Sequence, residues 1–235
     1  MTITAKPPNC FMQLRERGYE YHVFISWPHS IQAQGQKLIE QLFEGLEDRF
    51  RNFGGGKVFL DKQRLEPGEQ WDPKLRRSVC RSGVLVAILV DSYFLSKYCR
   101  IEWNITETLQ KKRLPQKETD ATCFIPIIFQ EDVALPIQLR AIQCDRSFAK
   151  MRSYTRNLKL HSKWNEALDA LVARIKSILT LMCQQPTGNQ DWVADESKAE
   201  KVEPKDFNWE TASTHPNSPH PRRKLPRAVS RGSKL

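Results

Sequence analysis

The sequence predicts an α/β protein: a three-layer, flavodoxin-like fold with a five-stranded parallel sheet in the order 2-1-3-4-5. Two observations point there. Short β-rich runs alternate with helical stretches from Tyr21 to Leu181. One of those runs, Gly83 to Val90, is almost wholly apolar, which suits a strand covered on both faces.

The elements follow in order. Tyr21-His22-Val23-Phe24-Ile25-Ser26-Trp27, closed by Pro28, reads as a first strand. Leu38, Ile39, Leu42, Phe43, Leu46 and Phe50, spaced three and four apart, give the apolar face of a helix that Gly54-Gly55-Gly56 stops. Lys57 to Asp61 is a second strand, followed by a loop with Pro67-Gly68 and a helix from about Asp72 to Ser82. Gly83 to Val90 and the helix Ser96 to Leu114 repeat the unit, and Cys123 to Phe129 is a fourth strand. A weaker fifth strand is expected in Ile142 to Phe148, and Trp164, Leu168, Leu171, Ile175 and Ile178 mark a last helix to Leu181. In the expected order the strand direction of travel switches between strands one and three. Ligands of such sheets bind beyond the carboxyl ends at that switch, here near Trp27 to Ser30, Asp91 to Leu95 and the helix start carrying Tyr98, Cys99 and Glu102.

Composition sets the boundaries and the excluded classes. The 235 residues carry net charge +10, and the longest apolar run, Val84 to Val90, is far too short to cross a bilayer. Met1 to Arg17 lacks the apolar stretch of a signal peptide, so a cytoplasmic protein with reduced thiols is expected. Cys10, Cys80, Cys99, Cys123, Cys144 and Cys183 stand apart, with no metal-ligand spacing, so no metal is expected. Residues 191–210 hold seven acids and three bases, whereas residues 211–235 hold six bases and no acid. Few aliphatic residues and six of the 14 prolines follow position 185, so residues 186–235 read as a disordered tail, acidic then basic. Residues 1–17 read as an extension and 18–185 as the domain. The basic end, Pro221-Arg222-Arg223-Lys224-Leu225-Pro226-Arg227, is a candidate for contact with nucleic acid, an anionic membrane or an acidic protein, with a solvated tail the preferred reading.

Four blocks carry a resemblance. They are Tyr21 to Trp27; Val58-Phe59-Leu60-Asp61 with Leu65-Glu66-Pro67-Gly68 and Trp71; Ser92 through Tyr98-Cys99-Arg100-Ile101-Glu102-Trp103; and Phe124 to Phe129. Together they resemble the Toll/interleukin-1 receptor (TIR) domain family over about residues 19–183. His22 stands where the family usually has an acid, Tyr98 where tryptophan is commoner, and no clear Phe-Trp pair appears, so the stand-alone bacterial type is the better match. The resemblance implies a NAD hydrolase that cleaves the nicotinamide–ribose bond, giving ADP-ribose or a cyclic signal in anti-phage defence or NAD-depleting cell death. It also implies self-association through a BB loop with Leu65, Pro67 and Gly68, a sensor or effector protein as a further partner, and NAD as substrate with no bound cofactor. The alternative is a non-catalytic scaffold that recruits a partner through the same loop.

On this resemblance Glu102 is the catalytic residue. Nicotinamide leaves neutral from a cationic substrate and needs no acid, whereas the ribose develops oxocarbenium character that a nearby carboxylate stabilises. Substrate contacts are expected from Tyr98, Ser26, Trp27, Phe59, Asp61 and Trp71, with the choice among the aromatic rings open. Tyr98 lies one turn before Glu102, but with Ile101, Ile105 and Leu109 it also fits a core stripe. Ser26 and His29 fit either the pocket or an ordinary turn. Cys99 reads as a small buried hydrophobe, and Gly54-Gly55-Gly56-Lys57, lying before a strand, as a turn and not a phosphate loop.

Overall fold

The computed structural model describes residues 9–52, 54–61, 71–114, 121–140, 142–153, 158–185, 192–205 and 207. The elements are α1 (Cys10–Glu16), β1 (Tyr21–Ser26), α2 (Ala33–Asn52), β2 (Val58–Phe59), α3 (Trp71–Cys80), β3 (Ser82–Leu89), α4 (Lys97–Arg113), β4 (Phe124–Ile128), α5 (Ile137–Arg140), α6 (Ser162–Gln184) and α7 (Trp192–Glu200). The strands lie in the order β2-β1-β3-β4, and every pairing is parallel, with Val23 opposite both Val58 and Val84 and Leu85 opposite Phe124. The expected fifth strand is reduced to one parallel bridge between Ile127 and Asp145, on the β4 edge where its place was expected. Asp145 accepts from the Ile128 N–H and donates to the Pro126 carbonyl, both at 2.8 Å. Pro126 itself has no N–H to offer its neighbours.

Strand periodicity divides the interior into two cores. Val23, Ile25, Val84, Val86 and Ile88 face one side, packed against α1, α2 and α6. Phe24, Phe59, Leu85, Ala87 and Leu89 face the other, against α3 and α4. All eight residues of β3 are buried, which accounts for its unbroken apolar run. Helix α2 ends where Gly54 and Gly55 take positive φ of 102° and 84°, and the Gly55 N–H returns to the Phe50 carbonyl.

Both expected domain boundaries move outward. The segment read as an extension contains α1, capped by the Asn9 side chain, and its Phe11 and Leu14 are fully buried. His22 explains how α1 is tied to the sheet. The Lys57 N–H donates to His22 Nδ1 at 2.9 Å, so Nε2–H donates to the Phe11 carbonyl at 2.9 Å. Burial, aided by the charges of Arg15 and Lys57, holds this imidazole below its ordinary pKa and therefore neutral. Arg17 adds bonds to the Met182 and Cys183 carbonyls at the end of α6.

The segment read as a tail beyond residue 185 also contains structure: α7 and its continuation to residue 205 form a strap across α3 and α4. Composition failed to show this because the strap is anchored chiefly by charge. Buried Arg76 of α3 donates through Nη1 to the carbonyls of Ala199 and Val202 at 2.9 and 2.7 Å. Lys112 of α4 pairs with buried Asp195 at 2.6 Å, and Arg81 with Glu196. Phe207 finishes the strap edge-on to Phe94 and Trp103. The basic end at 221–227 lies outside the described residues. Among the described residues no helix is long and apolar enough to cross a membrane, and no group of three or more His, Cys, Asp or Glu could hold a metal.

Candidate active site

Beyond the carboxyl ends of β1, β2 and β3 lies a cavity of about 410 Å³ lined by Trp27, His29, Asp61, Ser96, Tyr98 and Glu102. Each element delivers its part for a local reason. Strand β1 ends at Ser26, and Pro28 follows Trp27, so the chain leaves the sheet and turns across its edge. Ser96 caps α4, its hydroxyl accepting from the Cys99 N–H at 3.4 Å, which starts the helix beside the end of β3. One turn separates Tyr98 from Glu102, so both face the cavity.

Glu102 is 4% exposed. Ser26 donates its hydroxyl to Glu102 Oε2, and Ser26 Oγ is also 2.8 Å from the Tyr93 hydroxyl. The Ser26 proton is committed to the carboxylate. Burial pushes the Tyr93 phenol far above its ordinary pKa, so it stays protonated and must donate to Ser26. A relay therefore runs from Tyr93 to Ser26 to Glu102. Burial is the main force on the Glu102 carboxyl and raises its pKa well above the ordinary range; the Ser26 bond opposes the rise, and the Asp61 charge adds to it. Among the described residues no cation shares this carboxylate.

Asp61 is buried too, 5% exposed, but its oxygens are taken. Trp27 Nε1–H donates to Oδ1 at 3.0 Å, and His29 Nε2 bonds Oδ2. The His29 ring lies against Trp27, centroids 4.8 Å apart, while over half of its side chain remains exposed.

Of the expected contact residues, Tyr98, Trp27 and Asp61 line the cavity with Glu102, and Ser26 stands behind the carboxylate. Tyr98 is 37% exposed, which decides against the core stripe. Phe59 is corrected: it is fully buried, stacked on Phe24 at 4.9 Å and edge-on to Tyr21, because β2 turns it into the core opposite to that of Val58 and Leu60. Trp71 opens α3, with its side chain outside the described residues, as are Leu65, Pro67 and Gly68. Cys99 is buried, and burial drives its thiol pKa up, which fits a packing role. Sequence reasoning missed Ser96 and Tyr93. Serine before a helical stripe is a cap signal that could have revealed the first. Tyr93, within Ser-Tyr-Phe-Leu, reads as ordinary core.

A doubly wound α/β domain with a cavity at its switch point is thereby defined. The TIR-domain family model matches residues 23–154, more than half of the chain, and the chain belongs to that family. Among solved structures the chain is similar to the TIR domains in the structure of the activated Roq1 resistosome directly recognizing the pathogen effector XopQ. There it shows 18% identity and a TM-score of 0.37, covering 76% of this chain and 96% of that chain. No curated protein matches the chain.

Proposed function

We propose that this TIR domain is a NAD hydrolase that cleaves the nicotinamide–ribose bond. One observation carries the reading: Glu102 is buried at the wall of a cavity, and among the described residues no Lys or Arg pairs with it. A carboxylate stored this way costs solvation energy, and a cationic ligand recovers it on binding. The nicotinamide ring of NAD is such a cation. As the bond to the ring breaks, positive charge moves to the ribose, and a carboxylate facing it stabilises the transition state more than the ground state. Ser26 orients Glu102 and favours its charged form, and Tyr93 holds Ser26. Tyr98 and Trp27 supply aromatic surface for the ring or the ribose. A cavity of about 410 Å³ suits the nicotinamide end of the molecule and leaves the adenosine toward solvent or toward a second copy of the domain.

The reading extends to a soluble cytoplasmic enzyme that self-associates and makes ADP-ribose or a cyclic product as a defence signal. Incubating the full chain with NAD and following nicotinamide by chromatography tests it. Release is expected, with specific activity rising with protein concentration. No release across a wide concentration series overturns the reading.

A further inference from the structure

We propose that Phe207, at the far end of the strap, is a positioning residue for Glu102: its ring braces Phe94 and Trp103, the chain neighbours of Tyr93 and Glu102, and so keeps the relay from Tyr93 through Ser26 to Glu102 in register. The assignment deepens the NAD-cleaving reading above and rests on it. The strap runs back along α4 toward the cavity. Asp195, near the strap's start, meets Lys112 in the last turn of α4 at 2.6 Å. Further on, Lys205 lies 4.0 Å from Glu107, and the Glu203 carbonyl accepts from Nδ2 of buried Asn104 at 3.1 Å. Phe207 then reaches the first turns of α4, its ring centroid 6.0 Å from that of Trp103 and 4.9 Å from that of Phe94. The strap thus ends on the residues that adjoin the relay.

From there the contacts continue inward without a gap. Phe94 meets Tyr93 edge-on at 5.2 Å, and the Tyr93 hydroxyl is 2.8 Å from Ser26 Oγ, which donates to Glu102. Trp103 stacks on Phe124 of β4 at 4.4 Å, which ties the start of α4 to the sheet. Phe94 and Trp103 are only 3% and 4% exposed with Phe207 in place, so deleting its ring lets water into their cluster. A buried carboxylate gains solvation by moving outward, and only a firmly packed helix start prevents that movement. The brace therefore acts on the placement of Glu102 and leaves the cavity lining of Trp27, Asp61 and Tyr98 as it is.

The full-length parent is compared with Phe207→Ala, Phe207→Tyr and Val172→Ala, the last opening a cavity in the other core, against α6. Melting temperature, nicotinamide release from NAD and amide hydrogen exchange are measured on each. In Phe207→Ala, kcat is expected to fall roughly tenfold, within the range that a misplaced group can cost, with KM little changed. Amides of residues 92–104 should exchange faster there than in the parent. Phe207→Tyr keeps the ring and should restore both properties. Val172→Ala should lower the melting temperature with kcat and exchange over 92–104 unchanged. An equal fall of kcat in Val172→Ala, a change in KM alone, or a Phe207→Ala variant with parental kcat overturns the assignment. A parent that releases no nicotinamide overturns the NAD reading, and the exchange measurement then decides on the brace: unchanged exchange over 92–104 in Phe207→Ala overturns it as well.

Discussion

Glu102 and Asp195 are carboxylates of similar burial, 4% and 3% exposed, in surroundings that differ in kind. Asp195, on the strap, meets Lys112 Nζ at 2.6 Å, and nearby Arg76 and Arg81 satisfy the carbonyls of α7 and the Glu196 carboxylate. Glu102, at the cavity, has a serine hydroxyl and the neighbouring charge of Asp61. The strap uses charge to close a structure, and its acids Asp195 and Glu196 each come with a base. Among the described residues the cavity holds an acid without a base, a state that folding alone does not favour. Such a group is where a cationic ligand has the most to gain.

The paired region breaks most readily at Arg76. Arg76→Met removes the guanidinium from the Ala199 and Val202 carbonyls and from Asp72, and should cost about 3 kcal/mol, as expected for charge-assisted bonds to partly buried acceptors. Chemical denaturation reads the loss, and amide exchange should show residues 192–205 opening first. Unchanged stability would mean that Lys112–Asp195, Arg81–Glu196 and Phe207 hold the strap without Arg76.

At the unpaired acid the corresponding change is Ser26→Ala, which deletes the donor that favours the charged carboxylate. Nicotinamide release should fall roughly tenfold at neutral pH, about 1.4 kcal/mol. Because the Glu102 pKa rises further without that bond, the acid limb of the pH–activity profile should move upward and activity should recover in alkali. A drop that is equal at every pH would assign Ser26 to shape and not to charge.

The smallest effect sharpens the contrast through stability. A carboxyl whose pKa is raised on folding is favoured in its protonated form, so its penalty is absent at low pH and grows as pH rises above the unfolded value of 4.5. Glu102→Gln should therefore be more stable than the parent by about 1 kcal/mol at neutral pH, with the gain vanishing toward pH 4. Melting curves across that range check the sign.

The contrast also shows what the sequence could reveal. The apolar run of β3 and the stripe of α6 were readable because each is a local pattern with one physical cause: burial on both faces for the strand, one buried face for the helix. The cavity position followed from strand order, which brought Trp27, Tyr98 and Glu102 with it, whereas Asp61 came in through the resemblance. The strap left no such mark. Its anchors, Arg76, Arg81 and Lys112, lie more than 80 residues away in the chain, and few of its own residues are apolar. Phe59 shows the same limit at a single residue, since periodicity gives alternation along β2 but not which core each face meets. The short α1 was hidden because Phe11 and Leu14 are too few to make a stripe, and His22, read as a departure, is what fastens it.

The central claim is that the buried carboxylate of Glu102 faces the departing nicotinamide's ribose. Its most direct test compares nicotinamide release by the parent and by Glu102→Gln, with melting temperature measured on the same samples. A loss of roughly 100-fold or more, about 2.7 kcal/mol, is expected, in a variant at least as stable as the parent. Release by the variant at near the parental rate would contradict the claim.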